Sequence, residues 1–190
     1  MQKTGKKLSE MSLEELWQLF PIFLTEYQAH WKDWYLQEKQ CLKNTLSTAV
    51  RISHIGSTAI GGIWAKPIVD ILVEIPENAD ILAYKTGVED SGYICMHQSE
   101  NRLSFNKGYT ENGFAEKVFH VHLRYRGDNK ELYFRDYLME HTDVAKAYET
   151  LKLGLWKEYE HNRDGYTDAK TEFIQKYTQK AIELYGDRYL

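Results

Sequence analysis

Three sets of residues in this chain are of the right types to do chemistry together. Gly56, Ser57 and Thr58 follow an alternating, β-branched run, "AVRISHI" at residues 49–55. Glycine permits a sharp reversal there, after which backbone amides and the two hydroxyls are free to cradle a phosphate. Twelve residues lie between Ser57 and Asp70, a carboxylate set inside the apolar run "KPIVDILVEI" of residues 66–75. Further on, "FHVHL" puts His120 and His122 two apart on a strand, hence on one face, with Val121 and Leu123 on the other. Two imidazoles converging on one carboxylate would suit zinc, manganese or iron(II) better than magnesium.

A glycine-serine turn after one strand and an acid in the next is the arrangement in which nucleotidyltransferases hold a nucleotide's phosphates and divalent metal. Alternation places Asp70, Leu72 and Glu74 on one face of the second strand. Working transferases carry a second carboxylate two residues on, about 7 Å away; that position is Leu72 here, and Glu74 lies about 13 Å from Asp70 at roughly 3.3 Å per residue. The sequence therefore nominates Asp70, His120 and His122 as catalytic groups. The same three, with Glu74, are the candidate ligands of a divalent metal (Mg, Mn or Zn). His54, just before the turn, is read as a structural hydrogen-bonding residue.

An anionic ligand needs cations. Lys66 precedes Pro67, which fixes an extended approach to the second strand. Lys107 in "FNKGY" ends another strand beside a glycine. Arg135, Lys152 and Lys170 lie in helical segments beside apolar positions rather than in charge runs, so they can point across a cleft towards the sheet. Tyr166 is placed to stack on a ligand or hydrogen-bond to it. With Gly56, Ser57 and Thr58, these form the expected phosphate-binding set.

Strands and helices must position these groups. Ser12 and Glu15 read as a capping box for a short helix that Pro21 closes. Trp31, Trp34, Tyr35, Leu42 and Leu46 recur at near-helical spacing from about residue 29 to 46. Strands are expected at residues 49–55 and 66–75, a helix at 78–90, shorter strands around "GYICMH" and "RLSFNKG", and a strong strand at 117–125. From Glu131 the chain reads as helical to its end, with Thr142 and Thr167 as N-caps and Gly186 as the stop. The fold class is α+β: a mixed sheet flanked by helices over residues 1–130, and a helical portion over 131–190 packed on it.

Composition narrows the partners. The formal net charge is -4, so the whole molecule has no electrostatic attraction to nucleic acid or an anionic membrane, and an anion must be met by a local cluster. No stretch approaches the roughly 18 apolar residues of a membrane span. Cys41 and Cys95 show no metal-type spacing and read as reduced thiols, and the N-terminus lacks the apolar run of a signal peptide, so a cytoplasmic location is expected.

Four motifs, "HIGSTAIGGIWAKPIVDILVEI", "FHVHL", "LYFRDYLMEHTDVAKAYETLK" and "YTDAKTEFI", together resemble the GrpB family, bacterial proteins assigned to the nucleotidyltransferase superfamily. The resemblance runs from about Leu19 to the last helix. It implies a nucleotidyltransferase-like sheet with helices, and adds Pro67, Asp136 and Tyr137 to the positions named above. Where the family reads Val-Pro-Gly after the turn, this chain reads "IGG". Family members fused to dephospho-coenzyme A kinase suggest nucleotide or coenzyme A metabolism by association. Three functions follow: a metal-dependent nucleotidyltransferase, a non-catalytic module binding a nucleotide or coenzyme A, and a transition-metal hydrolase built on His120, His122 and Asp70.

Overall fold

The structure, a computed structural model, describes residues 6–189. Five strands form one mixed sheet: β1 (Arg51–Ile55), β2 (Val69–Ile75), β3 (Ile94–Gln98), β4 (Arg102–Thr110) and β5 (Gly113–Tyr125), in the spatial order β1-β2-β5-β4-β3. Among the described residues only the β2–β5 pair is parallel. The helices are α1 (Leu13–Leu19), α2 (His30–Thr45), α3 (Lys85–Asp90), α4 (Lys130–Glu140), α5 (Thr142–Glu158) and α6 (Arg163–Tyr185). The chain thus adopts the expected α+β class.

Each face of the sheet has its own cover. Val69, Ile71, Val73 and Ile75 of β2 join Phe119, Val121 and Leu123 of β5 in the main core, beneath Trp31, Leu42 and Leu46 on or beside α2. The residues between them point the other way. There Leu72 packs with Ile55 and with Leu132 of α4, so α4 to α6 lie over the face that carries Asp70, His120 and His122. Burial on both sides explains why β2 reads as an almost continuous apolar run.

Several boundaries differ from the sequence reading. The expected helix over 78–90 is a 3₁₀ turn, Ile81–Tyr84, followed by α3 alone; Asp80 starts it by accepting from Leu82 N. β4 continues past Gly108 to Thr110, and β5 begins at Gly113, four residues earlier than expected. Thr167 does not cap α6. Asn162 does, accepting from Gly165 N at 2.9 Å, while the Thr167 hydroxyl donates to Arg163 O inside the helix. Thr142 is the first residue of α5 rather than its cap. The Ser12–Glu15 capping box and the stop at Gly186, with φ +52°, are as expected.

Candidate functional site

Asp70 owes its position to the register of the one parallel strand pair. Asp70 faces His120 and Leu72 faces His122 across β2 and β5, while Ile55 at the end of β1 flanks Asp70 on the other side. The carboxylate therefore lies beside the Gly56 turn and both imidazoles. Gly56 has φ +69°, and a Cβ there would sit 2.6 Å from Asp70 Oδ2. Both the backbone conformation and the close approach demand glycine. Gly56→Ala is expected to cost about 1–3 kcal/mol of stability and to displace Asp70, a change readable by denaturant unfolding; an unaltered midpoint would refute it.

His120 is fixed from both ends. Arg163 Nη1 donates to the Tyr109 hydroxyl at 3.0 Å, the Tyr109 hydroxyl donates to His120 Nε2 at 2.9 Å, and His120 Nδ1 then donates to Asp70 Oδ1 at 3.1 Å. Tyr109 reaches this face through a β-bulge. Without one, Tyr109 would share the face of Lys107, two residues earlier, but the β4–β5 register shifts between them at Gly108, where φ is +90° and a Cβ would run into Lys117 O. His122 Nε2 stands 3.7 Å from Asp70 Oδ1, beyond hydrogen-bond range, and Arg124 Nη2 lies 3.4 Å from its Nδ1. Burial opposes ionisation of Asp70, but the His120 hydrogen bond, with His122 alongside, outweighs it and holds the carboxyl well below the usual carboxylate range. Burial lowers the His120 pKa, so the pair is an ionised carboxylate and a neutral imidazole.

The turn, Asp70 and both histidines open into a cavity of about 990 Å³ between the sheet and α4–α6. Lys66, Lys152, Lys170 and Tyr166 line it too, as does Arg163. Lys152 is 2% and Lys170 9% exposed, and none of the three lysines has a carboxylate within 4 Å among the described residues. Lys152 Nζ donates to Trp64 O. The Lys66 and Lys170 ammonium groups lie 5.4 and 4.2 Å from the centre of the same ring, Tyr166. Burial, then mutual repulsion, lowers the Lys66 pKa to about 7; burial and the Lys170 charge lower Lys152 to about 7; burial lowers Lys170 to about 8.

Other expected residues lie elsewhere. Glu74 shares the face of Asp70 but is buried near α4, where it accepts from Gly127 N and Asn129 Nδ2 and faces Arg51 at 3.4 Å. Lys107 pairs with Phe119 in register, so it lies on the α2 face, where its Nζ donates to Glu38 at 2.9 Å. Arg135 ties α4 to the sheet by donating to His54 O at 2.9 Å, and to Asp136 and Tyr189. Asp136 is occupied by Arg135, Arg188 and Tyr189, and Tyr137 stacks on His141. His54 stacks on Tyr35 and its Nε2–H donates to Thr58, whose hydroxyl donates on to Ile68 O, as a structural residue would.

Sequence reasoning missed Arg163, Tyr109 and Tyr148, all near or lining the cavity. Two signals pointed to the first two: Asn162 three residues before Gly165, which caps a helix, and a glycine inside the β4 pattern, which marks a bulge.

The chain has clear relatives. A family model described as "GrpB protein" matches residues 21–180. The "Glutamate-rich protein GrpB" of Alkalihalophilus pseudofirmus is 34% identical over 82% of this chain and 92% of its own length. YqkA of Bacillus subtilis is 29% identical over 92% of this chain, which spans only 52% of that longer protein. Among solved structures, the conserved protein GrpB from Enterococcus faecalis superposes with a TM-score of 0.74 at 32% identity, covering 86% of this chain and 99% of that one.

Proposed function

This chain belongs to the GrpB family, and we propose that it binds a phosphate-bearing ligand of nucleotide size in the cavity over Asp70. The binding is carried by cationic side chains and the Gly-Ser turn rather than by a resident divalent metal. One observation carries the reading: Lys66, Lys152, Arg163 and Lys170 converge on one cavity, and among the described residues none of the three lysines has a carboxylate within 4 Å. Buried lysines without carboxylate partners are costly to hold, and an anion of several charges is what offsets that cost. Arg163 and the lysines supply charge-assisted hydrogen bonds. The turn adds the amides and hydroxyls of Ser57 and Thr58.

The residues expected to hold a metal fit one poorly. Among the described residues no group of three or more histidine, cysteine, aspartate or glutamate side chains is gathered as a metal needs. Histidines that bind metals usually donate their outer N–H to an acceptor. Here Tyr109 donates to the outer nitrogen of His120 and Arg124 faces that of His122, which turns both N–H groups towards Asp70. Leu72 occupies the second-carboxylate position and is buried against Leu132. Four cations around Asp70 further oppose a bare divalent ion. These observations favour a binding module, for a nucleotide or coenzyme A, over a nucleotidyltransferase or a transition-metal hydrolase.

Titration calorimetry of the full chain with ATP and with coenzyme A, in EDTA and then in Mg²⁺ or Mn²⁺, tests this. Binding is expected to at least one ligand, unchanged within about threefold by EDTA, or about 0.7 kcal/mol. No binding to either, or a loss above tenfold on chelation, would overturn it.

A further inference from the structure

We infer that the cavity has a second compartment, along the C-terminal half of α6, that takes the neutral, amide-bearing part of the same ligand; this rests on the phosphate reading above. α6 lines the cavity along its length, and its character changes with distance. Arg163, Tyr166 and Lys170 make the first part cationic. Beyond them the lining residues of α6 are Ile174, Gln175, Thr178, Gln179 and Ile182, none of them charged, with Phe134 of α4 also lining the cavity and Lys130 and Glu131, one of each sign, at the start of α4. Spacings of three and four keep these positions on one helix face. Lys170 and Ile182 are about 18 Å apart at 1.5 Å per residue, so the cavity extends well past the reach of a phosphate chain held at the lysines.

Polar groups here await partners. Thr178 is 9% exposed, and its hydroxyl has no hydrogen-bond partner among the described residues although it borders the cavity. The side-chain amide of Gln175 is likewise unpaired among the described residues, while Gln179 uses its NH₂ group on Glu183. A hydroxyl and two amides offer both donors and acceptors without charge, and Phe134, Ile174 and Ile182 supply flat apolar walls. That combination matches neutral groups that donate and accept beside a planar or apolar surface, which a nucleobase or an amide-linked tail provides.

Calorimetry with matched pairs separates the compartments: ATP against inorganic triphosphate, and phosphopantetheine against inorganic phosphate. At least one organic member is expected to bind about tenfold or more tighter than its inorganic counterpart. A gain for ATP identifies a base, and a gain for phosphopantetheine an amide tail. Thr178→Val, which keeps shape and removes the hydroxyl, and Gln175→Leu, at an exposed position, should each cut that advantage several-fold and leave inorganic triphosphate unchanged. Thermal melting checks that both variants fold. Triphosphate bound normally with no organic advantage, or an advantage that survives both substitutions, overturns the second compartment. Failure of both ATP and coenzyme A to bind overturns the phosphate reading and this inference with it.

Discussion

Lys170→Met is expected to lower affinity for a nucleoside triphosphate by about 10- to 150-fold, since a hydrogen bond to a charged group is worth about 1.5–3 kcal/mol. The same variant should melt higher than the wild type. The Lys170 ammonium is almost fully buried, has no carboxylate within 4 Å among the described residues, and shares the Tyr166 ring with Lys66. Methionine fills similar space without charge and makes a favourable sulfur contact with an aromatic ring. Replacing a buried, uncompensated charge with an apolar side chain commonly stabilises, and about 1 kcal/mol would raise the melting temperature by about 2–4 °C in a chain of this size. In the Lys66→Met/Lys170→Met double variant the affinity losses should compound to about 10²–10⁴-fold. The stability gains should fall short of their sum, because the repulsion between the two lysines is removed only once. A variant that loses affinity and stability together would show the lysine to be a structural element, and the anion site would lose its principal support.

The pieces of this site differ in how far the sequence revealed them. Alternation alone put Asp70 on one strand face and paired His120 with His122 on another, because a period of two leaves no choice. That the two strands are neighbours depends on a long crossover through β3 and β4, and local pattern carries no information about it. Glu74 shows the limit of face assignment. It does share the face of Asp70, but four residues along a strand carried it to Asn129 and Gly127, where it closes the start of α4. Lys107 reads as a phosphate-binding cation at a strand end, but its pairing with Phe119 turns it towards α2.

Two glycines show tertiary contact overriding local preference. Gly108 reads as a strand end, yet its positive φ lets β4 bulge and continue, which brings Tyr109 onto His120. Gly165 stands in the first turn of α6 although glycine is a poor helix former. Its role is steric: a Cβ there would lie 2.7 Å from the Tyr159 ring, so glycine is what allows α6 to start at Arg163 behind its Asn162 cap and present Arg163 to the cavity. In both places a weak local preference yielded to tertiary contact, and both places deliver a residue to the site, where such departures are expected.

Affinity and stability should respond to pH in opposite directions. Lys66 and Lys152 titrate near pH 7 and Lys170 near pH 8 in the free protein, against an ordinary lysine value of 10.5. Between those values and 10.5 the unfolded chain binds more protons than the folded one, so the destabilisation these lysines cause is complete below pH 7 and recedes as pH rises. Ligand binding runs the other way. A polyphosphate favours the ammonium forms, so binding takes up protons above pH 7, and affinity should drop by about 10²-fold or more between pH 7 and 9 as the linked lysines lose theirs. The ligand cannot produce this trend, because its phosphates only gain negative charge over that range. Calorimetry at pH 8 in buffers of different ionisation enthalpy would read the proton uptake directly, and Lys152→Met should remove close to one proton from it if Lys152 faces the phosphates. An affinity flat from pH 7 to 9, with no proton uptake at pH 8, would overturn the coupling of lysine protonation to binding.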